Sequence, residues 1–137
     1  MTQVLALPQF EIIPGTVYER LINNVRFYSD VLKRREEIKA GFVCDKESTP
    51  WKGENSMAGL IHDWASRKGV LDSKLLAARV YLEFMEYEDS LVKRKWYTKA
   101  WDWAWRYLKS GFVAVCPDFV YWHKYDVAAT YEEMAGI

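Results

Sequence analysis

The chain is poor in the residues that do chemistry. Its 137 residues include two histidines, His62 and His123, and two cysteines, Cys44 and Cys116. Two cysteines do not make a disulfide framework. Cys44, His62, Cys116 and His123 are a Cys2His2 set in name only, because they lack the closely spaced cysteine pair of structural zinc sites. The chain has no phosphate-binding loop, no G-x-G-x-x-G turn, no G-x-S-x-G elbow and no H-E-x-x-H pair. It has no surplus of charge either: 19 Lys and Arg balance 19 Asp and Glu, which argues against nucleic acid as a partner. The clusters Lys33-Arg34-Arg35 and Lys93-Arg94-Lys95 read as solvated faces or strand ends. No apolar run approaches the ~18 residues of a membrane span. The N-terminal stretch lacks a basic region and meets Pro8 too soon for a signal peptide. The expectation is a chain made in a reducing cytoplasm, with free thiols, no cofactor and no membrane partner.

What the chain has in excess is aromatic rings: seven Trp, nine Tyr and six Phe, 16% of the sequence. Such side chains carry large apolar areas and dominate interface hot spots. A core filled with big side chains accounts for the excess as well as a sticky surface does. With half its residues hydrophobic and 28% charged, the chain falls in the globular range, and its length suits one domain over 1–137.

Hydrophobic period changes from two to 3.6 after Pro50. Residues 17–43 alternate, with Asn23-Asn24 and Ser29-Asp30 as turn signals, and read as a small antiparallel sheet. Three helices follow, near 56–67, 73–87 and 90–109. Met57, Leu60, Ile61 and Trp64 make a narrow stripe on the first, with Ser56 as N-cap and Gly69 as its stop. The second opens at Asp72-Ser73 and carries Leu76, Val80, Phe84 and Tyr87 on one face. The third, closed by Gly111, stacks Tyr97, Trp101 and Trp105 and adds Trp96 and Trp103 until most of its surface is apolar. Phe112 to Pro117 reads as a short strand stopped by proline. The fold class is α+β: a small antiparallel sheet, then three helices.

Chemistry, if there is any, falls between Phe42 and Trp64. Asp45, Ser48, His62 and Asp63 gather there, and histidine titrates near neutrality. Asp45 followed by Ser48 and Pro50 suits an Asx turn better than it suits a metal ligand or an orienter of His62. On the helical wheel His62 and Asp63 flank the apolar stripe on opposite sides, so the expected pair is Asp45 with His62, and Asp63 faces elsewhere. A structural hydrogen bond explains that pair slightly better than catalysis does. Asp45 and His62 are the candidate metal ligands. Glu83 falls inside the apolar face of the second helix, with Arg79 one turn earlier as its expected ion partner.

Three ordered pieces carry a family resemblance. They are Gly41-Phe42-Val43-Cys44-Asp45-Lys46-Glu47-Ser48-Thr49-Pro50, Ala58-Gly59-Leu60-Ile61-His62-Asp63-Trp64, and the run from Ser73 to Met85 containing Ala77-Ala78-Arg79 and Glu83. Over about residues 17–110 the chain resembles small uncharacterised proteins of tailed phages and prophages. Their motifs read F-x-x-D-x-x-S-x-P, A-x-x-x-H-D-W and S-R-x-x-A-D-R. The family's Asp is Ala78 here, so any carboxylate cluster has lost a member. The resemblance implies a bacteriophage origin and synthesis in the host cytoplasm. Two functions follow. One is a structural or accessory interaction protein of the virion, in the tail, neck or baseplate. It docks on other phage proteins or itself through Trp96, Trp101, Trp103, Trp105 and Trp122, with the aromatic segment 111–137 as an attachment. The alternative is a small divalent-metal-assisted hydrolase of cell wall or host metabolite using Asp45, His62 and Asp63.

Overall fold

A computed structural model describes residues 1–15, 18–44, 56–71, 73–91, 96–115, 127–130 and 132–133. The architecture is α+β, with six short strands preceding three helices. In place of the single expected sheet there are two, both antiparallel. In the first, β4 (Val25–Ser29) lies between β1 (Gln3–Val4) and β5 (Arg34–Ile38). In the second, β3 (Glu19–Leu21) lies between β2 (Phe10–Ile12) and β6 (Val43–Cys44). β1 and β2 precede the expected strand region. Two or three residues long and separated by Pro8, they are too short to show a period.

Strand β4 obeys the alternation that marks it in the sequence. Val25, Phe27 and Ser29 are buried, whereas Arg26 and Tyr28 face outward. It pairs with β5 from Val25 opposite Ile38 to Ser29 opposite Arg34. Phe27 joins this sheet to the helices. Its ring makes edge contacts with Trp64 at 5.3 Å and with Phe84 at 5.2 Å between centroids, the geometry that aromatic quadrupoles favour.

The helices are α1 (Ser56–Ala65), α2 (Lys74–Ser90) and α3 (Trp96–Val115). Ser73 caps α2, its hydroxyl accepting from the Leu76 amide at 3.2 Å. The start of α1 is satisfied partly from another helix, for the Ala58 amide donates to the Glu88 carboxylate of α2 at 2.5 Å. Such a carboxylate also favours the positive end of the helix dipole. Helix α1 is the central element: every described side chain from Met57 to Arg67 is buried, where the sequence pattern shows only a stripe. Helix α2 buries Ala77, Ala78, Val80, Tyr81, Phe84 and Met85 against it. Gly69 has a φ of +79°, the left-handed turn expected after α1.

Two expectations are corrected. Residues 112–115 are not a strand but the last turn of α3, which runs through Gly111. Glycine costs a helix about 1 kcal/mol against alanine. Continuing brings Phe112 and Ala114 against the core, and that burial offsets the cost. Glu83 does not rely on Arg79, which is exposed. Its carboxylate instead accepts hydrogen bonds from the Thr2 and Ser29 hydroxyls at 2.5 and 2.6 Å, and from the Asp30 and Val31 amides at 2.6 and 3.3 Å. It thus fastens α2 to the far end of the first sheet.

Candidate functional site

Of the sequence-selected polar residues, Asp45 and Ser48 lie outside the described residues, so the Asp45–His62 pairing does too. His62 and Asp63 are both in the interior, 5% and 1% exposed, with Ser66 at 3% one turn on. The His62 ring packs on Tyr81 at 4.9 Å between centroids. Its Nδ1 lies 3.8 Å from the Asp63 carboxylate, and its Nε2 lies 3.4 Å from the Ser66 hydroxyl. The wheel separates the two neighbours, but side chains that both turn into the same packed interior converge at their tips.

Serine, histidine and aspartate in that order suggest nucleophilic catalysis, so the geometry has to be weighed. A working nucleophile and base sit about 2.6–3.2 Å apart, with the hydroxyl open to substrate. Here the Ser66 hydroxyl donates to the His62 carbonyl at 2.8 Å, an ordinary back-bond one turn up the helix. The distances from the His62 ring to Asp63 and Ser66, 3.8 and 3.4 Å, are longer than that range. Two concavities of about 650 and 370 Å³ lie elsewhere, the larger along Gln3, Arg26, Tyr28 and Glu37, the smaller beside Phe42 and Trp64. Neither includes His62 or Asp63. Among the described residues no three His, Cys, Asp or Glu side chains come together to hold a metal.

Just past α1, Arg67 is fully buried. One terminal nitrogen donates to the Val43 carbonyl of β6, and the guanidinium lies 4.6 Å from the centroid of the Phe42 ring. It is the tie between the central helix and the second sheet. An interior arginine on a sequence flanked by Ser66 and Lys68 carries no local signal of burial, and sequence reasoning missed it.

The other candidates are the tryptophans. Trp122 and the side chain of Trp96 lie outside the described residues. Trp101, Trp103 and Trp105 are 69%, 56% and 36% exposed, and Tyr107 is 48% exposed. The rings pair along the helix: Trp101 stacks on Trp105 at 6.2 Å with 18° between planes, and Trp103 meets Tyr107 at 4.9 Å. Together with Leu108 and Ala104 they make an apolar face of roughly 200° at 100° per residue.

The opposite side of α3 is polar, and that is the side turned to the domain. Lys109 is buried and Asp102 is half-buried. Arg106 pairs with Asp89 of α2 at 2.9 Å, and the Ser110 hydroxyl donates to the Ala78 carbonyl at 3.0 Å. Over its first three turns α3 therefore inverts the usual arrangement, in which the apolar stripe faces the core. Among the described apolar side chains of α3, Phe112 and Ala114, near its end, pack against the core. The C-terminal segment, where described, is engaged elsewhere: Ala129 is buried with Ile13 and Val43 beside the second sheet. No helix among the described residues is long and apolar enough to cross a membrane. No family model, curated protein or solved structure matches this chain.

Proposed function

We propose that the chain is an interaction protein, a structural or accessory component of a tailed-phage particle, whose docking element is the outer face of α3. The observation that carries this reading is the inverted helix. Apolar surface in water costs about 25 cal/mol per Å², and a continuous exposed patch of several rings marks a binding surface more often than an accident. Evolution has placed good core residues where this domain cannot bury them. The polar contacts of Arg106 and Ser110 to α2 hold the face in that orientation. The phage setting rests on the three motifs alone, and the docking role rests on α3. The burial of His62 and Asp63 favours docking over the hydrolase alternative.

The test joins the two parts. Particles are purified from a host expressing the tagged chain and analysed by mass spectrometry, beside a Trp101→Ser/Trp103→Ser variant. The expected outcome is a wild-type chain that travels with the particles and a variant that folds with an unchanged far-UV spectrum yet is lost from them. A wild-type chain absent from particles overturns the virion assignment. A variant retained as well as wild type overturns the docking face.

A further inference from the structure

The geometry points to a second copy of this chain as the occupant of the α3 face, in an antiparallel two-fold helix pair. This deepens the docking reading and rests on it.

The chemistry of the face narrows the partner. Its rim-to-rim surface, from Trp103 through Ala104 and Leu108 to Trp105, has no Lys, Arg, Asp or Glu. Nucleic acid and anionic lipid both need cations, and sugar rings need polar side chains beside the aromatic platform. An uncharged face is compatible with itself, which is what a two-fold contact requires, because the same patch serves both partners. Where the C-terminal segment is described, Ala129 packs with Ile13 and Val43 beside the second sheet.

Area and shape agree. Taking ~150–250 Å² per aromatic side chain, the exposed fractions of the four rings with Leu108 and Val115 amount to roughly 500–700 Å², approaching the ~800 Å² per partner of a stable interface. The face is uneven along its length. Its N-terminal half carries the bulky pairs Trp101–Trp105 and Trp103–Tyr107, whereas the exposed residues described after Leu108 are Gly111 and Val115. A parallel pair would set bulk on bulk. An antiparallel pair, crossing near Leu108, sets the rings of one copy over the thin end of the other. The small residues Ala100, Ala104 and Gly111 run between the two aromatic ridges, the groove into which a ridge of the partner helix fits.

The experiment is sedimentation equilibrium of the full chain over a wide concentration range, with cross-linking to fix the geometry. Wild type is expected at twice the 16.1 kDa chain mass. Ala104→Lys, which puts a charge at the centre of the face, is expected to raise the dimer Kd about a hundredfold, the loss of a hot-spot anchor, with unchanged thermal unfolding when both are monomeric. In a Cys116→Ser background, Leu108→Cys is expected to form a disulfide with itself. Trp101→Cys is expected to form one only when mixed with Val115→Cys. Trp101→Cys linking to itself overturns the antiparallel arrangement. A dimer indifferent to Ala104→Lys overturns the α3 contact. A wild type that is monomeric throughout overturns the second copy, and so does a monomer that binds neutral vesicles through this face. In both of those cases loss of the Trp101→Ser/Trp103→Ser variant from particles would leave the docking reading standing.

Discussion

Helices α1 and α3 break the same rule in opposite directions. Helix α1, with the turn after it, buries residues that ordinarily stay in water: His62, Asp63, Ser66 and Arg67. Helix α3 leaves in water the residues that ordinarily fill a core. The difference lies in what surrounds each. α1 is covered by α2 and by Phe27, Phe42 and Cys44 from both sheets, so its polar groups are inside wherever they point. α3 has the domain on one side only, and a helix held on one side can turn either face to it. The lesson is that amphipathic pattern identifies a face, whereas neighbours decide whether that face is inside.

The comparison breaks most visibly at Arg67. Replacing it by Ala removes the bond to the Val43 carbonyl and the stacking on Phe42 and leaves a void. It should cost about 3 kcal/mol or more, measured as a lower urea midpoint at constant m-value. Glu83→Ala should come next, at about 2 kcal/mol, because four donors lose a charged acceptor. The amides of Asp30 and Val31 should also lose protection in hydrogen exchange. Gly111→Ala should do the reverse. A Cβ there meets nothing within 4 Å, so helix propensity alone decides, and the gain should be about 0.5–1 kcal/mol. Trp101→Ser should change monomer stability by less than about 0.5 kcal/mol, since the ring has little to lose on unfolding. A loss of several kcal/mol there would mean α3 is a core helix after all.

The smallest effect is one of pH. The N-terminal amine, 2.8 Å from Asp30, holds that carboxyl below its ordinary range, with help from the Thr2 amide. A lowered folded pKa stabilises above the unfolded value of about 3.9 and is lost as pH falls through the folded one. Asp30→Asn should therefore differ from wild type at neutral pH and converge with it once pH has fallen through the lowered folded pKa, on the acid side of the transition.

The sequence made the helices legible, because each carries several turns of periodic residues. The opening of α2 at Asp72-Ser73 and the buried stripe of Met57, Leu60, Ile61 and Trp64 could be read directly. The division into two sheets could not be, because β1 and β6 are two residues each and depend on partners far along the chain. The Arg79 partner proposed for Glu83 failed for the same reason: a neighbour one turn away is visible in sequence, and Thr2 is not. The exposure of Trp101 and Trp103 was legible as a surplus of aromatic surface, though not as an inversion of the whole helix. That depended on Asp89 and Ala78 of α2 receiving Arg106 and Ser110.

The Glu83 attachment sets an order on synthesis. The first sheet is made of residues 3–38, and it emerges from a ribosome well before the carboxylate that gathers Thr2, Ser29, Asp30 and Val31. Until α2 follows, the corner formed by Thr2 and Ser29 to Val31 lacks its shared acceptor, and the hydrophobic underside, with Val25, Phe27 and Ile38, has only α1 to cover it. A nascent chain stalled before residue 83 should be protease-sensitive and in need of a chaperone, and release of α2 should end both conditions together.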